Sequence, residues 1–117
     1  MKQLYLGAAY YPELWEEAEI EKDITHIKEA GLNCVRVAEF AWGRMEPKEG
    51  DFQLGWLERV VEKLHENGIS TVMCTPTATP PRWLLNKYPE TRMVMHDLIR
   101  ADVSSRCHAC KTSEVMR

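Results

Sequence analysis

The 117 residues carry 15 basic and 18 acidic side chains, a net charge of −3, with 44% of the residues hydrophobic and 28% charged. That balance describes a soluble globular domain or part of one; it is too apolar for a disordered chain and holds no basic run that could follow a phosphate backbone, so nucleic acid is not an expected partner. The apolar start, Leu4 to Tyr11, is ended by Pro12 and Glu13 too early to span a membrane and lacks a small-residue cleavage site, and the four cysteines (Cys34, Cys74, Cys107, Cys110) then read as reduced thiols or metal ligands in a cytoplasmic protein.

Taken in order, Leu4 to Ala9 is short, apolar and compatible with a strand, and Tyr10-Tyr11-Pro12 breaks it because the residue before proline is driven away from helix. From Glu16 to Ala30, Ile20, Ile24 and Ile27 recur at helical spacing, acids come early and Lys28 late, and Gly31 stands where a helix stops. Leu32 to Ala38 predicts a second strand, apolar on both faces as for a parallel strand covered by helices, and Arg36 is then a charge in a buried setting that calls for a partner. A long loop from Glu39 to Gly55 follows. Leu57, Val60, Val61 and Leu64 restore helical spacing over Trp56 to Asn67, closed by Gly68. Ile69 to Cys74 predicts a third strand, Thr75 to Pro81 ends it, and Arg82 to Lys87 reads as a helical turn; no element is predicted after Pro89.

Ile27 to Val35 and Leu64 to Val72 echo one another as helix, glycine, strand, and the 37-residue step from Gly31 to Gly68 fits one strand-plus-helix unit. The chain therefore reads β-α-β-α-β with parallel strands and right-handed crossovers. Three parallel strands leave edges that an open doubly wound sheet or an eight-stranded barrel completes. No glycine-rich turn opens a helix after the first strand, which argues against a phosphate cradle. The strand exits are instead aromatic (Tyr10 and Tyr11, Phe40 and Trp42, Trp83 and Tyr88), as a stacked sugar ring at the carboxyl ends of barrel strands would require, and the barrel is preferred.

Tyr10-Tyr11-Pro12-Glu13-Leu14-Trp15, Asn33 to Arg36 with Glu39-Phe40-Ala41-Trp42, Glu46-Pro47 with Gly50, Thr75 to Leu84, and Ser105-Arg106-Cys107-His108-Ala109-Cys110 resemble, in register, the start of the glycoside hydrolase family 42 β-galactosidases. The resemblance implies a (β/α)8 TIM barrel of which this chain is the incomplete beginning, three strands and two to three helices, with residues 1–117 an amino-terminal part of one catalytic domain and no second domain. It implies hydrolysis of terminal β-D-galactosides with retention of configuration by a homotrimer. In the family both catalytic glutamates lie at the ends of later strands, so neither is expected here and the isolated chain is expected to be inactive.

By the same resemblance Arg36 and Arg106 are substrate-binding arginines, although the strand alone allows Arg36 to be a structural arginine paired with Glu39, and Arg106 a solvated loop residue. Glu39 lies at a strand end and is assigned to orienting Arg36 or lining the site, beside Trp42 and Tyr10, although large aromatics at loop bases more often plug the core. Glu13 and Glu46 read as loop or capping residues. Cys107 and Cys110 form a C-x-x-C whose second member matches a cysteine that, in some members, joins three later cysteines around a structural zinc; no other cofactor is implied. Cys34 and Cys74 read as small buried hydrophobes and the four histidines as no site. Two other classes remain open: a noncatalytic sugar-binding protein, and a small thiol or zinc module built on Cys107 and Cys110.

Overall fold

The structure, a computed structural model, describes residues 3–100. Three parallel strands, β1 (Gly7–Ala9), β2 (Cys34–Val37) and β3 (Ser70–Met73), lie in the order β1-β2-β3, with Gly7 opposite Cys34, Ala9 opposite Arg36, Cys34 opposite Ser70 and Val37 opposite Met73. Four helices accompany them: α1 (Ile20–Glu29), α2 (Trp42–Met45), α3 (Gly55–Glu66) and α4 (Arg82–Lys87). These are the first three strands of a (β/α)8 barrel, incomplete in this chain. The chain forms two compact units, one from the described parts of Met1–Glu39 with Leu54–Thr75 and one from those of Phe40–Gln53 with Pro76–Arg117.

In the first unit the core is Ile20 and Ile24 of α1, Val35, Val37 and Ala38 at β2, Leu57, Val60 and Leu64 of α3, and Ile69, all at most 5% exposed. Each buried valine, leucine or isoleucine contributes roughly 1.5 to 3 kcal/mol of transfer free energy, so these positions hold the helices to the sheet. Both helices end alike. Leu32 N–H donates to Ile27 O (3.1 Å) and Ile69 N–H to Leu64 O (2.9 Å), each across a glycine with left-handed backbone, Gly31 at φ 74° and Gly68 at φ 73°. This paired closure is the physical content of the helix-glycine-strand echo. Exposed ion pairs, Arg59 to Glu17 at 2.7 Å and Lys63 to Glu21 at 2.8 Å, add a register between α3 and the start of α1.

Four expectations need correction. The first strand is Gly7–Ala9 rather than Leu4 to Ala9: beyond the backbone bond from Asn33 N–H to Leu6 O (3.0 Å) a side chain takes over, Asn33 Nδ2 donating to Leu4 O and Leu6 N–H donating to Asn33 Oδ1, both at 2.8 Å. The first helix starts at Ile20, not Glu16; Glu16 is extended and Glu17–Glu19 is a 3-10 turn, since no apolar side chain before Ile20 anchors that turn to the core. The loop after β2 contains α2, whose four residues are too few to show a period. Finally β2 is covered on one face only: Val35 and Val37 are buried, whereas the Arg36 side chain is 49% exposed and Cys34 and Cys74 are partly exposed free thiols. His26, His65 and His96 are exposed.

The second unit is held by Ala41, Leu84, Leu85 and Thr91, all buried, and by Glu49, which accepts hydrogen bonds from Lys87 and from Tyr88 (2.8 Å). A 3-10 turn, Pro89–Thr91, extends structure past the predicted end. No helix among the described residues is long and apolar enough to cross a membrane.

Candidate functional site

The carboxyl end of β2 carries the charged cluster. β2 is bonded on both sides up to its end, by Tyr10 N–H to Arg36 O (2.8 Å) and Cys74 N–H to Val37 O (3.0 Å). Ala38 then takes a left-handed conformation, φ 67°, and the chain folds back so that Arg36 Nη2 lies 2.8 Å from Glu39 Oε2. The Tyr11 hydroxyl donates to the same oxygen at 3.5 Å. Arginine offers a planar fork of N–H donors and the carboxylate only acceptors, so together they can meet both functions of a sugar hydroxyl, which donates one hydrogen bond and accepts others.

Beside this pair the uncovered sheet face forms an open hollow of about 270 Å³, lined by Gly7, Ala9, Cys34, Arg36 and Val72 among others. Its floor follows from the register: Gly7 and Ala9 lie opposite Cys34 and Arg36, and these opposite Ser70 and Val72, so small residues stand on one face next to the guanidinium. Gly7 is required there, since a Cβ on it would lie 2.3 Å from the carbonyl oxygen of Cys34.

Tyr10 is held elsewhere in the same unit. Its hydroxyl donates to Asp23 Oδ2 of α1 at 2.8 Å, and burial, that hydrogen bond and the negative charges of Asp23 and Glu13 all push its ionisation well above the usual phenol range. The phenol is therefore a neutral donor at any physiological pH.

Trp42, in the second unit, donates its indole N–H to Glu46 Oε2 at 2.8 Å. Glu46 is 8% exposed; its other oxygen accepts Gly50 N–H at 2.9 Å, and its backbone carbonyl accepts the Trp83 indole N–H at 2.8 Å. A loop residue in the sequence reading thus becomes the junction of two tryptophans and a turn. Arg106, Cys107, His108 and Cys110 lie outside the described residues, and among the described ones no group of three or more His, Cys, Asp or Glu side chains could hold a metal ion.

Of the residues selected from sequence, the structure brings Arg36 and Glu39 together and sets Tyr10 on Asp23. Sequence reasoning passed over two: Tyr11, noted only as an aromatic exit, and Ala38, whose residue type gives no sign of a left-handed turn.

Residues 9–117 match the family model of glycoside hydrolase family 42, described as beta-galactosidase. The chain is 44% identical to the β-galactosidase YesZ of Bacillus subtilis, aligned over the whole chain and 18% of that protein. It is also similar to the solved structures of the β-galactosidases of Halorubrum lacusprofundi (TM-score 0.87, 41% identity, 97% of this chain and 17% of that one) and of a Rahnella species (TM-score 0.89, 36% identity, 97% and 17%). The chain thus spans less than a fifth of the length of these relatives.

Proposed function

This chain belongs to glycoside hydrolase family 42, the β-galactosidases, and from that premise we propose that it is the amino-terminal part of a retaining enzyme acting on terminal β-D-galactosides. Residues 1–117 form part of a single catalytic barrel domain. Arg36 and Arg106 hold sugar hydroxyls, while Glu39, Trp42 and Tyr10 orient or line the site. The two glutamates that carry the chemistry, about 5 to 5.5 Å apart across the scissile bond in a retaining enzyme, are supplied by segments outside these residues. The assembled protein is a homotrimer.

The observation that carries the reading is the Arg36–Glu39 pair, half-exposed on the uncovered face at the carboxyl end of β2, where barrels of this class place their active sites. Relatives that align with this segment are named β-galactosidases, which supports the substrate class. The test is kinetic. In the protein expressed from its complete reading frame, Arg36→Ala lowers kcat/KM on a β-galactoside by roughly 10- to 100-fold, about 1.4 to 2.8 kcal/mol of lost transition-state binding. An unchanged value removes Arg36 from the site; no turnover by the unaltered protein refutes the activity.

A further inference from the structure

The Arg36–Glu39 pair does not follow from the strand that bears it. Along an extended strand the residues i and i+3 are about 10 Å apart and point to opposite faces. Here their side chains meet at 2.8 Å. The hydrogen bonds of Arg36 O and Val37 O to the neighbouring chain segments fix the backbone as far as Val37, so the change of direction begins at the next residue, Ala38, and continues through the turn at Glu39 and Phe40. Ala38 has φ 67° and no exposed surface. Leu98, with φ 65°, is the other non-glycine in this region among the described residues, but it is 85% exposed, in a turn closed by its own N–H donating to Met95 O at 2.9 Å. A left-handed alanine that is fully enclosed is maintained by its surroundings, and such conformations cluster at ligand-binding positions.

We propose that Ala38 is a positioning residue for sugar binding: its enclosed left-handed turn, acting through Glu39, sets the direction in which the Arg36 guanidinium presents its donors to the substrate. This inference rests on the β-galactoside reading of the same site. Because Ala38 is fully enclosed and acts only through Glu39 and Arg36, its effect is expected on affinity and not on the bond-breaking step.

The turn tolerates glycine, which adopts positive φ freely, and resists valine, whose branched Cβ does not. In the complete protein, Ala38→Gly is expected to keep KM for a β-galactoside within about twofold, whereas Ala38→Val raises KM by about tenfold or more with kcat within about threefold. In an Arg36→Ala background the Ala38→Val effect on KM is expected to disappear, since the group being aimed is gone. Independent, multiplying effects of the two substitutions, or an unchanged KM in a folded Ala38→Val protein, would overturn the proposal. Should the valine variant not fold, the glycine variant decides: a tenfold rise in its KM would show that the methyl group matters and not the turn. Failure of the galactosidase reading is separable, because it is seen as no turnover by the unaltered protein. The crystal structure of Ala38→Val then decides the turn's role, a broken Arg36–Glu39 contact supporting it and an intact one refuting it.

Discussion

Glu46 shows how a nearly buried carboxylate serves structure. Its two oxygens accept the Trp42 indole and the Gly50 amide while it is 8% exposed, so removing them leaves two donors unmatched at about 1 to 3 kcal/mol each. Glu46→Ala is therefore expected to lower the stability of the complete protein by about 2 to 4 kcal/mol, and Glu46→Gln, which retains one acceptor, by roughly half that, as read from denaturant midpoints. Tyr10 makes a pH-dependent prediction. Its ionisation is raised in the fold, so the folded state holds the phenol proton that the unfolded chain loses near the ordinary value of 10.0. The associated stability is complete below that pH and is lost as the pH rises above it toward the raised value. Unfolding midpoints between pH 9 and 11 should fall more steeply for the natural protein than for Tyr10→Phe. Parallel slopes would contradict the burial and the Asp23 contact. Glu39 was legible as one candidate partner for Arg36, but the buried setting that called for a partner was not borne out, since the Arg36 side chain is 49% exposed. The role of Tyr11 was not legible, because which hydroxyl reaches Glu39 depends on the 3-10 turn after Tyr11 and on the reversal at Ala38.

The helices end where their sequences say, and α1 alone begins well after its expected start. Gly31 and Gly68 each hold positive φ with nothing within 4 Å of an added Cβ, so alanine at either position meets only backbone strain. Gly31→Ala and Gly68→Ala should each cost about 1 to 2 kcal/mol, and nearly the same amount as one another, because the closures are alike. Gly7→Ala is different in kind: the Cβ would collide with the Cys34 carbonyl, and the expected loss exceeds that at either helix end. Comparing the three unfolding midpoints checks both statements. Helix ends were legible because one residue type serves a left-handed closure. The start of α1 was not, since Glu16 to Glu19 are good helix formers with no apolar side chain to anchor them, and burial outranks propensity. The shortened β1 was hidden for a third reason: Asn33 is unremarkable as a strand residue, yet its amide takes the place of a peptide group for Leu4 and Leu6.

At the scale of the whole molecule, strand order and parallel sense were legible from the repeated helix-glycine-strand unit, because right-handed crossovers leave few alternatives once strands and helices alternate. The uncovered face of β2 was not, since a strand that is apolar apart from Arg36 reads as covered on both sides whether or not the covering elements belong to the same stretch of sequence. Among the described residues β1 and β3 each pair only with β2, and Leu4, Leu6, Val72 and Met73 are exposed. The isolated 117-residue polypeptide should accordingly show no turnover of a β-galactoside and sediment as mixed assemblies. A cooperatively unfolding 13.6 kDa monomer would contradict this. The order β1-β2-β3 bears also on synthesis. Each strand docks on the one translated just before it, so the sheet can grow as the nascent chain leaves the ribosome, a step of 37 residues from Gly31 to Gly68 advancing it by one strand. A growing barrel of this kind presents one fresh edge at a time, and the next segment to emerge is the one that covers it.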